Sequence, residues 1–198
     1  MFAGLLDRVR AALLSAPGDG ISVFESEAER RSGAIPAAVL VPIVLHPAGP
    51  TVLLTLRTAH LRDHPGQVSF PGGRVESEDA NPLETALRET EEEIGLARRH
   101  VELAGYLPDY YTGTGFRVTP VVAWLRPPFS LAPDRFEVAE VFEVPLTFLL
   151  DEANHQRMAI HVGGRRRAFY SMPYNERFIW GATAGMIRLL HDRMALER

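Results

Sequence analysis

Glu89, Glu92 and Glu93 lie in the run Arg88-Glu89-Thr90-Glu91-Glu92-Glu93, and theirs is the spacing in this chain best suited to chemistry. On a helix that turns about 100° per residue they fall within an arc of about 100°, so three carboxylates share one side while Glu91 points elsewhere. That side has no lysine or arginine of its own, and the expectation is that a cation neutralises it. The plain alternative is a solvated helix face, the usual fate of a charge run. Against it stands repulsion between like charges four residues apart, about 0.2–0.5 kcal/mol for a pair such as Glu89 and Glu93. Carboxylates are hard oxygen ligands suited to Mg²⁺ or Mn²⁺, and Mg²⁺ takes one or two of them together with waters and substrate phosphates. A phosphate ester or anhydride is the substrate class this implies.

The helix that must hold these acids is legible at both ends. Leu83, Ala86, Leu87, Thr90 and Ile94 recur at three- and four-residue spacing and form the stripe a helix buries against a sheet. Glu93 is the acid nearest that stripe, and Glu92 turns further toward solvent. Asn81 is a good N-cap, Pro82 suits the first helical position, Glu84 stands where a reciprocal capping carboxylate belongs, and Gly95 is placed to end the helix. Acids on such an element would be rigidly placed, as a metal site requires.

With Gly72-Gly73 before it, the stretch from Arg88 to Gly95-Leu96 resembles the signature of the Nudix hydrolases. Two departures stand out. Thr90 occupies a position where the family carries a bulky aliphatic residue, and the interval from Gly73 to Arg88 is one residue longer, so Asp79 or Glu78 must replace the first acid of the pattern. A second stretch narrows the resemblance. Leu54-Thr55-Leu56-Arg57, then Arg62, Gly66, Val68, Ser69 and Phe70-Pro71-Gly72-Gly73, is similar to the additional signature of the coenzyme A pyrophosphatase branch, with Thr58 the only mismatch.

The resemblance implies an α+β fold, the Nudix α/β/α sandwich with a mixed β-sheet between helices. It implies divalent-metal-dependent hydrolysis of the diphosphate of coenzyme A or acyl-coenzyme A to 3′,5′-ADP and 4′-phosphopantetheine or its acyl derivative. Glu89 and Glu93 are then the firmest ligands for Mg²⁺ or Mn²⁺, with Glu92 third and the Gly73 carbonyl a backbone ligand, and Arg88 orients an adjacent carboxylate. The general base comes from the motif helix or from a later loop, where Glu137 and Glu140 are candidates and Glu140 is preferred. Arg57 and Arg62 suit phosphate recognition, since an arginine fork matches phosphate oxygens. Gly66, Phe70 and Gly72 complete the expected substrate contacts. Alternatives are a Nudix enzyme for another nucleoside diphosphate, such as ADP-ribose or a dinucleotide, and a non-catalytic nucleotide-binding module.

Composition bounds the remaining expectations. The chain has 198 residues, 46% of them hydrophobic, no cysteine and a formal charge of −4, as expected for one globular domain spanning residues 1–198. No lysine occurs, so all 21 basic residues are arginine, which reads as compositional bias. Net acidity gives no support to nucleic-acid or membrane partners, and Arg165, Arg166 and Arg167 read as a solvated turn. His60 and His64 lack the further ligands of a zinc site. The start reads as an amphipathic helix rather than a secretion signal, the expected location is cytoplasmic, and the assembly a monomer or homodimer.

Along the chain the pattern predicts a helix to about Ser15, a charged segment from Glu25 to Arg31, and antiparallel strands over Val39–Leu45 and Val52–Leu56. Further strands are expected near Val101–Leu107, Val118–Leu125 and Val138–Val144, with a hairpin from about Arg157 to Tyr170. A closing helix from about Phe178 to Ala195 would bury Trp180, Met186, Ile187, Leu190 and Met194.

Overall fold

The computed structural model describes residues 2–18, 33–61, 63–162 and 165–196, without the side chains of 160–162 and 165–167. The elements in order are α1 (Ala3–Ala11), β1 (Ile35–His46), β2 (Gly49–Arg57), β3 (Val68–Ser69), β4 (Gly72–Arg74), α2 (Pro82–Ile94), β5 (Val101–Tyr106), β6 (Tyr110–Tyr111), β7 (Phe116–Leu125), β8 (Val138–Pro145), α3 (Leu146–Leu149), β9 (Gln156–Val162), β10 (Arg165–Tyr174), β11 (Arg177–Trp180) and α4 (Gly181–Leu196). The charged Glu25–Arg31 segment lies outside the described residues.

Strand β1 organises the rest. It sends Ala38, Leu40 and Val44 to one face and Ala37, Val41 and Ile43 to the other, and all six are buried, as the two-residue period of a strand covered on both sides requires. Strand β2 returns antiparallel beside it, as the sequence predicts. Strand β7 lies parallel to β1 from Ile35↔Phe116 to Val44↔Leu125, which makes the sheet mixed. Strand β5 pairs with β7, β8 with the far edge of β2, and β3 and β4 with β2 and β1. Helix α2 covers one face through Leu83, Ala86 and Ile94. Helices α1, α3 and α4 and the small sheet β11-β10-β9 cover the other, where Met172 and Ile179 are fully buried. The expected mixed sheet between helices is what forms.

Helix α2 begins and ends where expected. The Asn81 side chain accepts from the N–H groups of Leu83 and Glu84, and Gly95 closes the helix at φ 67° with its N–H on the Glu91 carbonyl. Glu84 does not complete a reciprocal cap; its carboxylate is taken by Arg98 Nη1 at 2.5 Å. At the C-terminus the helix starts later than expected, because Phe178 and Ile179 pair with Pro173 and Met172 as strand β11. Arg165 to Arg167 open strand β10 rather than a turn, since they pair with Val162, His161 and Ile160.

Thr90, the polar residue at an aliphatic position of the motif, is buried, and its Oγ1 has no hydrogen-bond partner. A buried hydroxyl left unpaired loses its hydration without compensation, about 1–3 kcal/mol. Thr90→Val keeps the shape and removes that loss. It should raise the unfolding free energy by about 1 kcal/mol in urea titration, and an equal or lower midpoint would show that the hydroxyl is satisfied in solution.

Candidate active site

The site is assembled where α2 crosses β4. Strand β4 runs along β1 with Val39 opposite Gly72 and Ala38 opposite Gly73, and the Leu40 N–H on the Pro71 carbonyl (2.9 Å) fixes its start. A Cβ on Gly72 would run into the Ala38 carbonyl and Val39, and one on Gly73 into the Glu89 carboxylate. Gly72 therefore lets β4 lie close on β1, and Gly73 lets a helix carboxylate lie directly on strand backbone, close approaches for which glycine is needed.

Glu93 and Glu89 occupy that contact. The Gly72 N–H donates to Glu93 Oε2 at 3.2 Å, and Arg57 Nη1 stands 3.7 Å from Glu93 Oε1. The Glu93 side chain is only 7% exposed. Burial pushes its carboxyl from 4.5 up to about 8, the nearby charges of Glu89 and Glu137 push the same way, and the Gly72 N–H and Arg57 oppose them. Burial also raises Glu89, against the pull of Arg88.

Arg88 corrects the expectation that this side of the helix lacks an arginine. Its Nη1 donates to Glu89 Oε1 (3.0 Å) and Glu92 Oε2 (3.2 Å), while Nε and Nη2 take Asp79 Oδ1 (3.1 Å) and Oδ2 (2.9 Å) and Nη2 also reaches the Arg74 carbonyl (3.0 Å). Helix twist alone hides this, because a long side chain reaches past its own Cα position. Glu92 is 59% exposed, as its place on the helix predicts.

The same guanidinium separates Asp79 from Glu78. Asp79, its side chain 5% exposed, receives both prongs of the fork, the Thr85 hydroxyl and the Glu76 N–H, and Arg88 holds it well below the usual carboxylate range. Glu78 is bonded by the neighbouring Ser77 hydroxyl.

A later loop closes the site. After α2 the chain returns so that the N–H groups of Ala132 and Asp134 donate to the carbonyls of Ile94 (2.8 Å) and Glu93 (2.9 Å). At the far end of this turn the Thr58 N–H donates to the Glu137 carbonyl (2.9 Å) and Thr58 Oγ1 to the Phe136 carbonyl (2.7 Å). Thr58, a mismatch in the motif, thus ties the loop to the end of β2. Glu137 is brought close enough for its charge to act on both Glu89 and Glu93. Glu140 is not. It shares one face of β8 with Phe142 and Val144, which pack on the α4 side of the sheet, and Arg177 Nη2 holds it at 2.6 Å.

Of the expected substrate contacts, Gly72 and Arg57 reach the carboxylates, and Arg57 Nε is buried with no hydrogen-bond partner. Phe70 does not reach them. It is a core residue packed with Val41, Val52 and Met186, because its strand neighbours turn it inward. Gly66 sits in an exposed turn with its N–H 3.4 Å from the Thr58 carbonyl, and Arg62 lies outside the described residues.

The donor set suits a hard divalent cation. Two half-buried to buried carboxylates with raised pKa values crowd one strand backbone, an arrangement that a positive charge would relieve. Among the described residues no group of three or more His, Cys, Asp or Glu side chains is placed to hold a metal ion.

Residues 34–161 match the NUDIX domain family. The uncharacterized Nudix hydrolase NudL of Yersinia enterocolitica is 44% identical over 158 residues, covering 80% of each chain. Among solved structures, the fold is similar to that of RenU, a Nudix hydrolase from M. smegmatis, at a TM-score of 0.57 and 21% identity over 84% of this chain and 89% of that one. It is also similar to the NUDIX domain of Shewanella oneidensis NrtR in complex with ADP ribose, at a TM-score of 0.52 and 16% identity over 86% and 94%.

The raised Glu93 carboxyl has a thermodynamic consequence in the metal-free protein. With a folded pKa of about 8 above the ordinary 4.5, the folded state favours the neutral acid, so the contribution is intact below pH 4.5 and lost as pH rises to 8. Glu93→Gln, neutral at every pH, should gain stability over the wild type between pH 5 and pH 9 in EDTA, by about 2 kcal/mol or more given about 1.4 kcal/mol per unit. A stability difference that does not change across this range in urea titrations would contradict the burial of a charge there.

Proposed function

The chain belongs to the Nudix hydrolases, enzymes that need divalent ions such as Mg²⁺ or Mn²⁺, and on that premise we propose that it cleaves the diphosphate of coenzyme A or an acyl derivative. The products are 3′,5′-ADP and 4′-phosphopantetheine, or its acyl form. The observation that carries this reading is the contact between Arg57 and Glu93, because it joins the stretch similar to the coenzyme A branch to the acids of the helix. The reading includes the cytoplasmic location and the monomer or homodimer expected from the sequence.

Glu93 and Glu89 would hold the ion, with Glu92 as a third carboxylate and the Gly73 carbonyl beside them. Once bound, the ion supplies neutralising charge to the diphosphate oxygens and orients the attacking water. That water attacks one phosphorus, the P–O–P bond breaks, and each half leaves with a phosphate. Glu137, beside the acids yet outside the helix, takes the proton from water. Arg57 offers its Nη groups to phosphate oxygens, and Arg62, in the same stretch, is assigned to phosphate as well. Arg88 touches no substrate and positions Glu89 and Glu92.

With Mg²⁺ present, purified protein assayed against coenzyme A, acetyl-coenzyme A, ADP-ribose and dinucleoside polyphosphates should show its highest kcat/KM on a coenzyme A species. Rapid cleavage of ADP-ribose with coenzyme A untouched would overturn the substrate assignment. Glu137→Gln should lower kcat by about 100-fold or more, the range for loss of a general base. Full turnover in that variant, with the loss appearing in Glu140→Gln instead, would return the role to Glu140. Arg57→Met should raise KM about tenfold, since hydrogen bonds to charged groups contribute about 1.5–3 kcal/mol.

A further inference from the structure

Phe136 is the most exposed phenylalanine, tyrosine or tryptophan among the described residues, at 65%, yet both polar groups of its backbone are hydrogen-bonded. Its N–H donates to Asp134 Oδ1 (2.9 Å) and its carbonyl accepts from the buried Thr58 hydroxyl (2.7 Å). The residues around it are tied in turn: the Glu137 carbonyl accepts from the Thr58 N–H, and the Asp134 N–H donates to the Glu93 carbonyl. The backbone that carries the ring is therefore held between the end of the site helix and the end of β2, one residue from Glu137. The His60 imidazole backs one flank, with centroids 4.7 Å apart and planes at 58°.

A single exposed apolar side chain needs no explanation in itself. A ring on a hydrogen-bonded backbone beside the acids of α2, flanked by a second ring and open on the rest of its surface, is a surface for a planar partner whose backbone ordering is already in place in the free protein. Phosphates would be drawn to Arg57, whose neighbour Thr58 anchors the Phe136 turn. The Thr58 hydrogen bonds link the chain beside Arg57 directly to the turn that carries the ring.

We propose that Phe136, backed by His60, is the platform on which the base of the substrate's nucleotide stacks while Arg57 holds its phosphate. This rests on the reading of the site as one for nucleoside diphosphates, and adenine is the base that reading supplies. Stacking on an aromatic face does not discriminate strongly among bases, so the platform contributes affinity, and selectivity for adenine is left to other contacts.

The test is direct binding of two ligands by calorimetry, AMP and ribose 5-phosphate, which differ only in the base. Wild type should bind AMP more tightly than ribose 5-phosphate. Phe136→Ala should lose about tenfold in AMP affinity, within the range for truncating a ring under a stacked base, with ribose 5-phosphate unchanged. Phe136→Trp should restore AMP binding, which also shows that the loop folds in the variants. The proposal is overturned by equal AMP affinity in Phe136→Ala, by equal losses for both ligands, or by a variant defect confined to self-association, which would assign the ring to protein contact. Hydrolysis by the wild type is read separately. Cleavage with no effect of Phe136 on AMP sinks the platform alone, whereas loss of AMP binding in a protein that cleaves no diphosphate sinks the hydrolase reading alone.

Discussion

A single guanidinium, that of Arg88, meets Asp79, Glu89 and Glu92 at once and takes the Arg74 carbonyl as well, and the disposition of the acids follows from how its donors are shared. Three glutamates on one helical arc repel one another. Arg88 relieves two of them, and the two-pronged bond to Asp79 fixes the guanidinium in place with the geometry only arginine offers. Glu93 is left with the Gly72 N–H and a more distant Arg57, buried and short of positive charge. The site is therefore electrostatically incomplete at one defined spot, between Glu93 and the Glu89 carboxylate that lies on Gly73.

That spot exists because of the sheet beneath it. Strand β1 carries β4 on one edge and the parallel β7 alongside, so the glycine strip is pinned to a strand buried on both faces. Helix α2 must lie close upon it to bury Ala86 and Ile94. Packing energy thus holds the carboxylates against backbone, and the desolvation that raises Glu93 is a by-product of the apolar contacts on the same helix. The loop after β7 adds the last element, hooked to the carbonyl end of α2 and to Thr58. Two chain segments distant in sequence thereby bring Glu137 and Phe136 to one rim.

Local patterns were readable wherever a single element carries the signal. The cap at Asn81, the stop at Gly95, the buried Ala86, Thr90 and Ile94 of α2 and the apolar runs of β1 and β2 each depend on neighbours within a turn or a strand. Local sequence does not show what a long side chain or a distant partner decides. Glu84 pairs with Arg98 rather than capping its own helix. Phe70 turns into the core. Phe178 and Ile179 join a strand because β10 is there to receive them. Thr58 looked like a mere departure from a motif, and nothing near it in sequence reveals that it holds the loop around Phe136.

The amino-acid sequence by itself determined the helix, the spacing of Glu89, Glu92 and Glu93 upon it and the glycines before it, because helical period, capping chemistry and backbone freedom are properties of short segments. Tertiary structure alone decided that Arg88 binds Asp79 and not Glu78, that Glu140 is taken by Arg177 on the α4 side of the sheet while the charge of Glu137 bears on the acids, and that Glu93 is the carboxyl most raised by burial. Those outcomes depend on which side chains meet across the sheet and on how much water is excluded between them, and charge and solvation are set by the whole packed environment rather than by any one segment.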